Sequence, residues 1–241
     1  MLISVITVCY NSEKTIRRTF ESMLSQTYQD FEYIIIDGGS SDKTLDIIKE
    51  YMPKFNGKMS YVSEKDNGIY DAMNKGIVRC NGKLIGLVNS DDWYENNTLE
   101  IVAQNYAGNK YEVVYGMEKT YIDGQESSIL FFRHEFLPNQ MITHPTCFVT
   151  KEIYTDLGMY DSINYKSSAD YEFMLRLYVN KEVVFTPVYK IMSNFSLGGV
   201  SGSNLGVIET ARLKKSLGMI TNKKYYITMI KAKLSDLVGN K

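Results

Sequence analysis

An α/β fold on a mixed, mostly parallel sheet is what this sequence predicts. Over residues 1–106 short apolar, β-branched runs alternate with segments of helical periodicity. Strand–helix alternation at that pitch means βαβ units with right-handed crossovers. Past residue 106 a hairpin pattern takes over, and the chain ends in two basic helical segments.

The elements follow in order. LISVITVC (2–9) reads as a strand, and SEKTIRRTFESMLSQ (12–26) as a helix. FEYIIID (31–37) is a second strand, followed by the helix SDKTLDIIKEYM (41–52), capped by Ser or Asp. KMSYVSE (58–64) is a weaker third strand. EKDNGIYDAMNKGI (64–77) carries a helix with Ile69, Ala72, Met73, Gly76 and Ile77 on one face; Asp71, Asn74 and Lys75 share another. KLIGLVNSDD (83–92) begins as a fourth strand, and NNTLEIVAQNY (96–106) is the next helix. Asp123-Gly124 sits between YEVVYGMEKTYI and QESSILFFR, a hairpin signal. HPTCFVT (144–150), a helix over 168–179, a strand over 182–191 and the glycine-rich FSLGGVSGSN (195–204) come next. Helices are expected over 205–217 and 223–238. This pattern divides the chain into a domain over 1–204, with halves 1–106 and 107–204, and a helical appendix over 205–241.

Bulk composition excludes several classes. The 241 residues suffice for one large α/β domain with a core that needs no staples. A net charge of −1 makes no electrostatic case for nucleic acid. Three cysteines without a CxxC pair, and two histidines, argue against a zinc site and suggest a reducing compartment. No run is long and apolar enough for a transmembrane helix, and the N-terminus reads as a strand rather than a signal peptide. Residues 205–241 carry eight Lys/Arg against Glu209 and Asp236. A peripheral contact with an anionic membrane is one reading of that tail; a basic helix packed on the domain is the other.

In an open α/β sheet, ligands bind beyond the carboxyl ends of the strands. The segments there are Tyr10-Asn11, Asp37-Gly38-Gly39-Ser40, Glu64-Lys65-Asp66-Asn67-Gly68 and Asn89-Ser90-Asp91-Asp92. Turn formation alone explains Asp, Asn and Gly at such places. Four polar turns on one edge also make a ligand site. Adjacent Asp91 and Asp92 repel unless a cation lies between them, and oxygen-only ligands favour Mg²⁺ or Mn²⁺ bridging to phosphates. No GxGxxG or Walker string is present, so a nucleotide here would rest on carboxylates and metal.

ITVCYNSEKTI, IIIDGGSSDKT, EKDNGIYDAMNKGI, GLVNSDDW, HPTCF, SADYEFMLRL and GGVS, in this order over residues 3–202, resemble family 2 glycosyltransferases of the GT-A fold. The resemblance is closest to bacterial enzymes of extracellular polysaccharide and O-antigen assembly. It implies that Thr7, Tyr10 and Asn11 line the nucleotide pocket, that Asp37 binds the base, and that Asp66 and Asn74 contact nucleotide or sugar. It implies ribose and metal binding at Asp91 and Asp92, with Mn²⁺ or Mg²⁺ as cofactor. Asp170 would be the catalytic base, with Glu172 a weaker second, and His144 would lie near the diphosphate or acceptor; a capped loop histidine is its other reading. The implied activity is inverting, single-step hexosyl or N-acetylhexosaminyl transfer from a UDP-sugar to a glycan or lipid-linked glycan. That work would take place in the cytoplasm or at the inner face of the membrane. Asn89 replaces the usual first acid of the DxD string, and the QxxRW string of processive synthases is absent. A sugar nucleotidyltransferase is disfavoured because CYNSEKT lacks glycine; a non-catalytic nucleotide-sugar binder is the other alternative.

Overall fold

The computed structural model describes residues 1–197 and 204–238. The GGVS string (198–201) therefore lies outside the described residues. Strands are β1 (Ile3–Cys9), β2 (Phe31–Asp37), β3 (Met59–Ser63), β4 (Leu84–Leu87), β5 (Trp93–Tyr94), β6 (Glu112–Ile122), β7 (Gln125–Leu130), β8 (Phe148–Thr150) and β9 (Val184–Ser196). Helices are α1 (Ile16–Leu24), α2 (Thr44–Tyr51), α3 (Ile69–Ile77), α4 (Thr98–Asn105), α5 (Lys151–Asp156), α6 (Ala169–Val179), α7 (Asn204–Ser216) and α8 (Asn222–Val238).

The sheet runs β3-β2-β1-β4-β8-β6-β9-β5, with β7 on β6. β3, β2, β1 and β4 are parallel, in a register that places Cys9 beside Asp37 and Asp37 beside Ser63. Their carboxyl ends thus open on one edge, as the alternation predicts. β8 enters antiparallel between β4 and β6. β6 and β9 pair parallel over almost their whole length.

Both faces of β1 are buried, which is why its apolar run does not alternate. Ile6, Val8, Ile34 and Ile36 pack against Met73 and Ile77 of α3 and share a core with Phe173 and Leu177 of α6. Ile3, Val5, Tyr33 and Ile35 pack on the other face against Phe20 and Met23 of α1 and Ile48 of α2. α3 lies so close to β1 that a Cβ on Gly76 would stand 2.6 Å from Cγ2 of Ile6. Only glycine permits that approach.

Several boundaries differ from expectation. α1 starts at Ile16 rather than Ser12, because Ser12 ties loops together: its N–H donates to Oγ1 of Thr44 at 2.7 Å, and its hydroxyl meets that of Ser90 at 2.8 Å. Residues 64–68 form an open loop before α3. β9 continues to Ser196 because β6 offers a long partner edge. β5 and α5 are short elements without a periodic signal of their own. α7 packs on the domain: Leu213 joins the core, and buried Glu209 accepts the N–H groups of Lys166 and Ser167, both at 2.9 Å.

Candidate active site

The ends of β1 and β2 form a self-satisfied pair of turns. Asp37 is fully buried. Its carboxylate accepts the N–H groups of Gly39 (3.2 Å) and Ser40 (3.1 Å), the Ser63 hydroxyl (2.6 Å) and the Ser40 hydroxyl. Asp37 therefore shapes the turn that a base would lie against; it does not present a free acceptor. Asn11, at φ +50°, accepts the Ser41 N–H at 2.9 Å and donates its own N–H to the Ser40 hydroxyl at 2.8 Å. Its amide oxygen is likewise spent between the two loops. Thr7 sits mid-strand with no exposure, its hydroxyl 2.8 Å from that of Tyr33. The expectation that Thr7 lines a pocket gives way to a core position, because its side chain points beneath the sheet.

Tyr10 and Asp66 remain available at this edge. The Tyr10 side chain is 65% exposed. A Cβ on Gly38 would meet Oδ2 of Asp66 at 2.9 Å and the Tyr10 ring at 3.5 Å, so both residues crowd over one glycine. Lys75 holds Asp66 from α3, its Nζ 2.6 Å from Oδ1, with Glu64 at 3.0 Å and Asp71 at 3.5 Å. Those carboxylates push the ammonium above the ordinary lysine range. Lys75 is thus a staple for the 64–67 loop rather than a rim charge.

The turn after β4 is held from α1. Arg18 donates to the Asp91 carbonyl (2.8 Å) and the Ser196 hydroxyl (2.9 Å), with its guanidinium 3.6 Å from the Trp93 ring centre. Asp92 has no exposure; its carboxylate accepts the Ser196 N–H at 3.0 Å and the Asn89 amide at 3.3 Å. Burial, then the Asp91 charge, push Asp92 well above the usual carboxylate range. Burial also raises Asp91, opposed by Arg18. Of the expected metal pair, Asp91 is the partly exposed member, while both Asp92 oxygens are committed inside the protein. Through these contacts Asp92 buttresses the turn. Among the described residues no three metal-ligating side chains cluster. A hard divalent ion fits Asp91 only with water or substrate oxygens completing its shell.

Asp170 opens α6, where the helix dipole favours an anion. Its Oδ1 accepts the Tyr70 hydroxyl and the Tyr171 N–H, both at 2.8 Å. Burial, then this carboxylate, raise the Tyr70 hydroxyl above the ordinary tyrosine range, so it stays a donor. Asp170 lines a cavity of about 440 Å³ between α6, α7 and α8. The Tyr160 ring lies 5.8 Å from that of Tyr70, and its hydroxyl is 2.9 Å from Nε2 of His144. Burial lowers the His144 imidazole, against the pull of Asp170. The His144 ring is thus hydrogen-bonded to Tyr160. Asn74 donates to the Tyr160 carbonyl at 2.8 Å and accepts its N–H at 3.1 Å. The expected sugar contact of Asn74 is therefore replaced by a clamp between α3 and the 157–168 segment. Glu172 pairs with Arg176 at 3.1 Å, four residues on, and leaves Asp170 alone at the cavity.

The structure thus brings Tyr10, Asp66 and Asp91 to the strand edge and Asp170 to a cavity next to α3. Tyr70, Tyr160 and Arg18 were missed. Tyr70 lies four residues before Asn74 on the same helix, and that phase was the available signal.

Comparison with known proteins identifies the family. The family model described as Glycosyl transferase family 2 matches residues 4–155. A PGL/p-HBAD biosynthesis glycosyltransferase of Mycobacterium bovis is 27% identical over 205 residues, covering 84% of this chain and 80% of its own. An uncharacterised glycosyltransferase of Mycobacterium tuberculosis is 32% identical over 181 residues, 72% of this chain and 68% of its own. Among solved structures, S. aureus TarS 1–349 in complex with UDP-GlcNAc superposes with a TM-score of 0.71 at 22% identity, covering 90% of this chain and 66% of that one. A mannosyltransferase of Pyrobaculum calidifontis in complex with GDP-Man and Mn²⁺ gives 0.61 at 16% identity, covering 97% and 69%. The chain spans 43% of the longer TarS chain. With the strand-edge acids, the Asp170 cavity and these matches together, the chain belongs to glycosyl transferase family 2 and is a glycosyltransferase of the GT-A fold.

Proposed function

We propose that this enzyme transfers a sugar, with inversion and in single steps, from a nucleotide diphosphate sugar to a hydroxyl of a growing cell-surface glycan that is lipid-linked. A UDP-sugar is the favoured donor. The observation that carries the reading is the 2.8 Å hydrogen bond from Tyr70 to Asp170. It joins α3, which follows the Asp66 loop of the donor half, to the start of α6 in the acceptor half. One carboxylate oxygen is thereby occupied and the other is left for an acceptor hydroxyl. Asp170 takes the acceptor proton as the oxygen attacks the anomeric carbon, and a single displacement inverts that centre. Tyr10 and Asp66 receive the nucleotide over Gly38. Asp91 would hold a divalent cation, Mn²⁺ or Mg²⁺, which when bound would supply charge neutralisation at the diphosphate.

The relatives and their donor complexes support this choice of substrate class, and the absence of a glycine cradle for phosphates is consistent with it. The proposed setting is the cytoplasm, at the inner membrane face. No helix among the described residues is long and apolar enough to cross a membrane. α8 instead presents Tyr226, Ile230 and Leu234 outward, 63%, 58% and 55% exposed, beside Lys223 and Lys233. That stripe suits a peripheral contact with anionic lipid.

Thermal shift against UDP, GDP, TDP and CDP, each with and without Mn²⁺, tests the donor reading. Ligand at 100 times its Kd adds about 2.7 kcal/mol. A metal-dependent shift with UDP alone is expected. No shift with any nucleotide would remove the roles given to Tyr10, Asp66 and Asp91.

A further inference from the structure

Two successive residues of α1 pin two successive carbonyls of the turn after β4. The buried Thr19 hydroxyl donates to the Asp92 carbonyl at 2.7 Å. Arg18, on the outer side, donates to the Asp91 carbonyl at 2.8 Å. That carbonyl also accepts the Ser196 hydroxyl at 2.9 Å, and the Ser196 oxygen accepts a bond from Arg18 at 2.9 Å. Arg18, Ser196 and the Asp91 carbonyl thus close a triangle across α1, the end of β9 and the turn. The Asp92 N–H donates to the Asn89 carbonyl at 3.2 Å. The peptide unit that follows Asp91 is therefore held at both of its polar atoms.

Stacking fixes the guanidinium as well. It lies 3.6 Å from the centre of the Trp93 ring, which lies 4.7 Å from that of Tyr121 on β6. A planar cation suits that layer; an ammonium would meet the carbonyl as a point charge without stacking as a plane. Arg18 bonds the Asp91 carbonyl and not its carboxylate, so it fixes the backbone and leaves the side chain to a ligand. With the backbone held, binding a cation has only the Asp91 side chain to order. Groups that orient a metal ligand from behind typically carry 10–100-fold in affinity. We infer that Arg18 is a positioning residue for Asp91, setting how tightly a cation–nucleotide pair is held. This deepens the proposed function and rests on Asp91 being the residue that holds the cation.

The test is calorimetric titration of the full chain with UDP, with Mn²⁺ and with EDTA in its place. The quantity read is the ratio of the two dissociation constants, which separates placement of the cation ligand from attraction of the guanidinium for the nucleotide. Arg18→Met should shrink that ratio at least about tenfold. Arg18→Lys, which keeps the charge and one donor, should fall between Met and wild type. Ser196→Ala removes the other donor to the same carbonyl and should shrink the ratio less; it serves as the second variant if Arg18→Met melts early. A ratio that stays or rises in Arg18→Met, or in Ser196→Ala where that variant stands in, overturns the positioning role. Asp91→Asn, run in parallel, should bring the ratio close to one. If it does so while Arg18→Met leaves the ratio at its wild-type value, only the role of Arg18 falls. If Asp91→Asn keeps the wild-type ratio, the cation reading of Asp91 falls and takes the role of Arg18 with it.

Discussion

The strand-edge loops and the groove around Asp170 differ in how completely their polar groups are already partnered. At the edge, Asp37, Asn11 and Asp92 spend their oxygens on neighbouring turns. In the groove, Asp170 has a single oxygen engaged, and Lys214 and Lys224 face a cavity without a carboxylate partner among the described residues. The edge is a finished scaffold that needs little adjustment to hold a nucleotide. The groove keeps one Asp170 oxygen free of these bonds beside an open cavity.

Three experiments break or sharpen this contrast. Asp170→Asn removes the proton acceptor and should cost 10²–10⁴-fold in transfer, at the magnitude of general-base catalysis. UDP binding, read by titration, should stay put; wild-type turnover would end the assignment. Tyr70→Phe in the same assay should cost only about tenfold, since the base survives without its partner.

Next in size is a stability effect behind the edge. Burial pushes the Glu118 carboxyl up to about 7, from the usual 4.5. The folded state then binds a proton that the unfolded state has lost, so stability falls as pH rises from about 4.5 to about 7. Asp92 acts in the same direction. Glu118→Gln should flatten that slope and add up to roughly 3 kcal/mol at pH 8 in the metal-free protein. Urea unfolding between pH 5 and pH 8 reads it out, and parallel slopes for both proteins would refute it.

The smallest effect concerns α8. Replacing Tyr226, Ile230 and Leu234 by Ser in the full chain should abolish flotation with phosphatidylglycerol-rich vesicles. Each lysine near such a surface adds about 1 kcal/mol. Equal flotation of wild type on pure phosphatidylcholine would argue against an electrostatic contact.

The edge was legible because each of its parts is local. An apolar β-branched run followed by Asp-Gly-Gly-Ser announces both strand and turn, and parallel pairing then aligns Cys9, Asp37 and Ser63 automatically. Which oxygens remain free was not legible, since Asp92 is consumed by Ser196, 104 residues away. That Lys75 staples the 64–67 loop was not legible either, because that loop has no periodicity. The groove was least readable. Its wall comes from α7, whose Glu209 reaches back to Lys166 and Ser167, and basic composition alone could not separate a packed helix from a loose tail.

α3 touches the 157–170 segment twice, through Tyr70 to Asp170 and through Asn74 to the Tyr160 backbone. A helix turns about 100° per residue. One residue inserted within α3 between Met73 and Asn74 would swing the second contact out of register with the first. Chimeras that recombine halves of related enzymes should therefore carry α3 together with residues 157–170, even though nearly 80 residues of chain lie between them.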